Sequence, residues 1–240
     1  MSGHSKWATI KRAKAATDAK RGNIFTKLGN AVTVAARSGG GDPDANFQLR
    51  LAMDRAKSAN MPKDNIERAV KRGTGELGGN AIEELTYGAL LPGQVAAIIN
   101  CTSDNKNRTF TDVKTTITKN GGQFVDLSSI SWQFDSKGVI KLLRKDLTLA
   151  TDELELIIID SGASDYTEDD EEYTIYTKPD ELKAVKDALD KSSLKIESAN
   201  LEMVAKETKE IDDDTLSKVT RVLDALDELD DVNDYYTNLK

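Results

Sequence analysis

From Thr17 to Arg37 the apolar residues Ile24, Phe25, Leu28, Ala31, Val32 and Ala35 recur at three- and four-residue steps, which places them on one stripe of a helix. Ser38-Gly39-Gly40-Gly41 ends that helix. Asp42-Pro43 then opens a second one, with Asp as N-cap, Pro at the first helical position, and Phe47, Leu51, Ala52 and Ala56 facing inward as far as Met61-Pro62. A third helix carries Asp64 in its first turn, buries Ile66, Ala69 and Val70, and stops at Gly73. Three short helices with small connections predict a compact helical module.

Beyond it the pattern changes. Gly73–Asn80 (GTGELGGN) is half glycine and reads as a linker. An extended Glu84–Leu90, a turn at Pro92-Gly93, an apolar run Val95–Cys101, a helix from Asn105 to Lys119 and strands toward Phe134 predict β-β-α-β. A strand at Val139–Leu143, a segment Asp152–Asp160, a strand at Tyr173–Thr177, a helix after Pro179 and a strand Lys195–Val204 predict β-α-β-α-β. Leu154–Ile159 is β-branched enough for a strand, but Thr151 as cap, Asp152 and Glu153 in a first turn and Gly162 as a stop favour a crossover helix. Leu216, Val219, Val222, Leu223, Leu226 and Leu229 mark a last helix, and Tyr235–Leu239 a last strand. That closing α-β completes the first mixed unit, so the middle of the chain is expected as an insertion. The expected class is α+β: a helical domain over 1–78, a discontinuous α+β domain over 79–136 and 206–240, and an inserted α+β domain over 137–205.

Charge divides the 240 residues at the same place. Residues 1–75 carry 15 Lys and Arg against 6 Asp and Glu, a balance of +9, and residues 76–240 carry 18 against 35, a balance of −17. A basic module on an acidic chain is the pattern of a polyanion binder attached to something else. No run of about 18 apolar residues exists, so no membrane span and no membrane partner is expected. The single cysteine, Cys101, fits a reducing compartment, and a cytoplasmic protein is the expectation.

Candidate chemistry narrows this further. His4 and Cys101 are the only histidine and thiol, and no phosphate-loop, nucleophile-elbow or zinc-protease motif occurs, so no enzyme, no catalytic residue, no cofactor and no small-molecule substrate is expected. The acidic runs Glu168–Glu172 and Asp212–Asp214 lack the ligand spacing of a calcium loop; the first reads as a solvated loop, the second as an N-cap, and no metal is expected. The basic N-terminus differs in kind. If Ser5 caps a helix, Trp7, Lys11 and Lys14 share one face, with Lys6, Arg12, Lys20, Arg21 and Lys27 extending the cationic strip. Ammonium groups neutralise phosphates and a ring stacks on an unpaired base, so nucleic acid is the expected partner, with the acidic domains available to protein partners. The plainer alternative makes Trp7 a core plug solvated by lysines. Asn105, Lys106, Asn107 and Arg108, where a strand hands over to a helix, form a second candidate contact or an ordinary polar cap.

The blocks GHSKW, IKRAKAATDAKRGNIFTKL, GGGDPDANFQLRLAMDRAKSANMPKDNIERAVKRGTG and DNKNRT resemble the YebC family, which includes the translational activator of cytochrome c oxidase. The resemblance runs more loosely over nearly the whole chain. It implies a helical N-terminal domain and two ferredoxin-like α+β domains, one inserted into the other, and a bacterial-type cytoplasmic protein. It also implies a DNA-binding transcriptional regulator or, alternatively, a ribosome-associated translation factor on rRNA, with no enzymatic activity. An enzyme with a site between the α+β domains is the remote alternative. The chain departs from the family where Tyr-Glu-Gly-Tyr-Gly-Pro-Gly-Gly is replaced by Tyr87-Gly88-Ala89-Leu90-Leu91-Pro92-Gly93-Gln94, and again at Gln123–Ser129, where a glycine-rich segment is lost.

Overall fold

A computed structural model describes residues 18–78 and 82–240, with side chains from residue 24 onward. The fold is α+β, a helical region followed by two small antiparallel sheets. Helix α1 (Asp18–Gly39) packs against α2 (Phe47–Ser58) and α3 (Lys63–Gly73). Leu28, Val32 and Ala36 of α1 meet Leu49 and Ala56 of α2 and Ile66 and Ala69 of α3 in one core. Gly73 sits where α3 crosses α1: a Cβ there would lie 2.3 Å from the Thr33 carbonyl oxygen, so the residue is needed for close approach as well as for stopping the helix.

The second helix starts later than the sequence predicts. Asn46, not Asp42, is the N-cap: its Oδ1 accepts from Leu49 N at 3.1 Å, and its Nδ2 donates to the Ala35 and Gly40 carbonyls at 2.7 and 2.8 Å. Asp42 instead accepts from Asp44 N in a turn. The side chain at 46 wins because it satisfies three backbone groups at once, two of them at the end of α1. Leu51 and Ala56 are buried as the spacing predicts, and Leu49 is fully buried beside them, while Phe47 at the first helical position stays half-exposed.

The discontinuous domain has a four-stranded antiparallel sheet in the order β3-β1-β2-β8, formed by β1 (Glu83–Leu91), β2 (Val95–Ser103), β3 (Gln123–Val125) and β8 (Val232–Thr237). On one face α4 (Lys106–Lys119) and α8 (Asp213–Asp227) bury Ala89, Ala97, Ile99 and Cys101 under Val113, Ile117, Val222 and Leu226. The other face meets α1 and the short helix α5 (Ser128–Ser131), where a run of strands had been expected. Covered on both sides, β2 is apolar without alternation and Ile98 is as buried as Ile99. Basic side chains tie the helices to this sheet domain: Lys27 Nζ donates to the Asp227 carbonyl at 2.8 Å, Arg55 pairs with Asp234 at 3.2 Å, and Arg37 donates to the Ile82 carbonyl.

Phe134–Val204 forms a separate compact unit. Its strands β4 (Phe134–Leu143), β5 (Asp165–Glu168), β6 (Glu172–Thr177) and β7 (Ser198–Ala205) lie in the order β5-β6-β4-β7, with helices α6 (Thr151–Asp160) and α7 (Leu182–Lys191) as crossovers. This is the β-α-β-β-α-β of a ferredoxin-like unit. The sequence reading omitted β5, whose Asp-Tyr-Thr-Glu is a polar edge strand without an apolar alternation. The acidic run that follows is therefore a hairpin turn: Asp169 Oδ1 accepts from the amides of Glu171 and Glu172, Arg144 pairs with Glu168 at 2.5 Å, and Glu172, almost fully buried, pairs with Lys141 at 3.1 Å. The helix assigned to Leu154–Ile159 is present, but Ala150 holds the cap position without a side-chain bond and Thr151 is already helical. Its Leu156 and Ile159 are 62% and 60% exposed, which is why its apolar run carries no clean helical period.

Candidate nucleic-acid interface

Helix α3 turns Ile66 and Ala69 into the core, and at 100° per residue that puts Arg68 and Lys71 on the opposite side and Arg72 on the flank next to Arg68. All three are exposed. The helical spacing offers the pairs Asp64–Arg68 and Glu67–Lys71, yet neither forms: Glu67 turns to Lys63 at 3.5 Å. Among the described residues Arg68, Lys71 and Arg72 have no ion-pair partner. Among the cations with described side chains, Arg50 pairs with Asp44, Arg55 with Asp234, Lys57 with Asp54, and Lys27 with Asp227. Lys71 and Arg72 in the last turn also offset the negative end of the helix dipole, a role that needs no ligand. Arg68, a turn earlier, has no such role. These three residues were not singled out in the sequence, although the phase of Ile66 and Ala69 turns Arg68 and Lys71 outward.

Of the residues read as a cationic strip, Lys6, Trp7, Lys11, Arg12 and Lys14 lie outside the described residues. Lys20 and Arg21 fall in the first turn of α1, ahead of the described side chains. Lys27 does not join the strip. Its side chain is only 14% exposed and its ammonium is spent on the Asp227 carbonyl, with the Asp227 carboxylate 3.9 Å away. Position 27 belongs to the stripe that faces the sheet domain, so its charge serves packing between domains rather than a ligand.

The second candidate contact is likewise occupied. Asn105 caps α4, its Oδ1 accepting from Arg108 N at 3.1 Å. Lys106 pairs with Glu83 at 2.5 Å and holds that carboxyl below its usual range, mainly through the hydrogen bond. Arg108 donates to Asp231 at 3.0 Å and to Asp104 at 3.2 Å; the Asp231 hydrogen bond holds the guanidinium's proton more firmly still. Asp231 also accepts from Thr109 Oγ1 at 2.7 Å and Ser103 Oγ at 3.2 Å. Asn107 is exposed. A cleft of about 380 Å³ beside this network is lined by Arg108, Thr109, Asp112, Glu228, Asp230 and Asp231, and four carboxylates around one engaged guanidinium repel a phosphate.

Cys101 lies in the sheet core, where burial pushes its thiol up to about 12, so it is held as the neutral, unreactive form. Asp212 caps α8, accepting from Thr215 N at 2.7 Å, as its place before an apolar run predicts. No group of metal-donor side chains occurs among the described residues, and no described helix is long and apolar enough to cross a membrane.

Two family models match the chain, meeting between α3 and β1. The TACO1/YebC protein N-terminal domain matches residues 5–76, and the TACO1/YebC second and third domain matches residues 82–239. The chain belongs to the TACO1/YebC family. A protein of Desulfitobacterium hafniense is 44% identical over 241 aligned residues, covering 100% of this chain and 96% of its own length, and one of Chlorobaculum tepidum is 45% identical over 240, covering 100% and 95%. Both are named probable transcriptional regulatory proteins. The crystal structure of a conserved hypothetical protein from Aquifex aeolicus superposes with a TM-score of 0.89 at 42% identity, covering 98% of this chain and 97% of that one.

Proposed function

We propose that this member of the TACO1/YebC family is a non-enzymatic regulator of gene expression that grips nucleic acid through its helical module. The observation that carries the reading is the cationic face Arg68, Lys71 and Arg72, without ion-pair partners among the described residues, on the module with the +9 balance. Three cations at one helix surface neutralise adjacent phosphates, and the basic residues Lys6, Lys11, Arg12, Lys14, Lys20 and Arg21 add to the same electrostatic attraction. The names of the relatives favour transcription, for which the nucleic acid would be DNA. A second reading, a translation factor on rRNA, is favoured by the −17 balance of residues 76–240, which repels a second pass of duplex phosphate but is tolerated in a protein-rich ribosome.

Sedimentation of cell extract tests this. Wild type is expected in the nucleic-acid-containing fractions at low salt, and the Arg68/Lys71/Arg72→Glu variant at the top of the gradient. Release by DNase supports the transcriptional reading and release by RNase the ribosomal one. Wild type that stays free, or a variant that sediments like wild type, contradicts the proposal.

A further inference from the structure

One exposed surface of the discontinuous domain has the chemistry of a ligand platform. Phe110 on α4 is 41% exposed although it sits beside two other rings: Phe124 of β3 at 5.2 Å with an interplanar angle of 78°, and Tyr87 of β1 at 6.1 Å and 65°. Tyr87 and Phe124 are themselves 5.6 Å apart and rest on the sheet core, so the cluster is anchored from below. Edge-type contacts from two anchored neighbours fix the orientation of the Phe110 ring without covering it. Lys114, one turn on, places its ammonium 5.5 Å from the centroid of the same ring. The cations at the start of α4 are tied up, Lys106 by Glu83 and Arg108 by Asp231, whereas Lys114 has no ion-pair partner among the described residues.

We infer that Phe110 and Lys114, backed by Tyr87 and Phe124, bind a single strand, with one unpaired base stacking on the Phe110 ring and the Lys114 ammonium moving to a flanking phosphate. A preoriented ring with a cation within one side-chain length is what sequence-tolerant single-strand sites combine, and a paired base inside a duplex has no free face to offer it. The inference rests on the nucleic-acid reading above and adds a second contact, on a different domain from Arg68, Lys71 and Arg72.

Fluorescence anisotropy with labelled 12-nucleotide RNA and DNA single strands and the matching duplex tests it, using the full chain. Phe110→Ala is expected to weaken single-strand binding roughly five- to hundredfold, the range that stacking of one base spans, with duplex affinity unchanged and Phe110→Trp retaining wild-type binding. Because Phe110→Ala also removes ring contacts, Lys114→Gln is the second variant: it keeps the rings and is expected to lower the slope of log K against log salt for single strands by about 0.7. Single-strand binding unchanged in both variants, or an equal loss for single strand and duplex, overturns the inference. If the Arg68/Lys71/Arg72→Glu change abolishes binding while Phe110→Ala does not alter it, only this contact falls. If wild type binds no oligonucleotide, both readings fall and the rings serve a protein partner.

Discussion

Asn46 shows how much one buried amide can hold. It caps α2 and donates to two carbonyls at the end of α1, so Asn46→Ala removes a cap of about 1 kcal/mol and strands two acceptors at about 1–3 kcal/mol for the pair. A loss of about 3 kcal/mol in chemical unfolding is expected, and Asn46→Asp should recover only the cap share, since a carboxylate cannot donate. At the β1–β2 turn, Gly93 has φ 75° and a Cβ there would lie 2.7 Å from Thr215 Cγ2, while the next residue, Gln94, takes φ 59° with a side chain. Where the family resemblance places a second glycine, this chain therefore carries left-handed strain of about 1–2 kcal/mol. Gln94→Gly is expected to raise Tm by about 2–4 °C, allowing for the added freedom of the unfolded chain, and Gly93→Ala to lower it by more. Equal melting temperatures for Gln94→Gly and wild type would show that the turn relaxes the strain.

At the scale of elements, the strongly periodic helices were legible and the polar ones were not. Val219, Val222, Leu223 and Leu226 declare α8 and its buried face from spacing alone, and the apolar run at Val95–Cys101 declares the strand β2, whose cover on both faces only the structure shows. The edge strand β5 was invisible because its four residues earn their place by hydrogen bonding to β6, not by burial. The start of α2 was misread because Asp42-Pro43 is a sound local signal that a tertiary partner at Asn46 overrides. The candidate site followed the same rule. The phase of α3 could be read from Ile66 and Ala69, but the choice by Glu67 of Lys63 over Lys71 depends on side-chain geometry that spacing does not fix.

For the whole molecule, Lys27 separates binding from architecture. Its ammonium joins the helical module to the end of α8, so Lys27→Met is expected to reduce stability by about 2 kcal/mol, the size of a hydrogen bond to a charged group, and to leave nucleic-acid affinity within twofold. Unchanged stability with weakened binding would return Lys27 to the cationic strip. The division of charge is the larger feature. A basic module of +9 shares the chain with residues of balance −17, whose charge opposes the approach of a polyanion. Binding should therefore be steeply salt-dependent, and a definite share of that dependence should reside in α3.

The most direct measurement is the affinity of the full chain for a short duplex as KCl is varied, for wild type and for the Arg68/Lys71/Arg72→Gln variant, with circular dichroism to verify the fold. Each phosphate contact contributes a slope of about −0.9 to log K against log salt, so loss of three cations should reduce the steepness by about 2–3. Identical slopes for a folded variant and wild type would contradict the assignment of this face to nucleic acid.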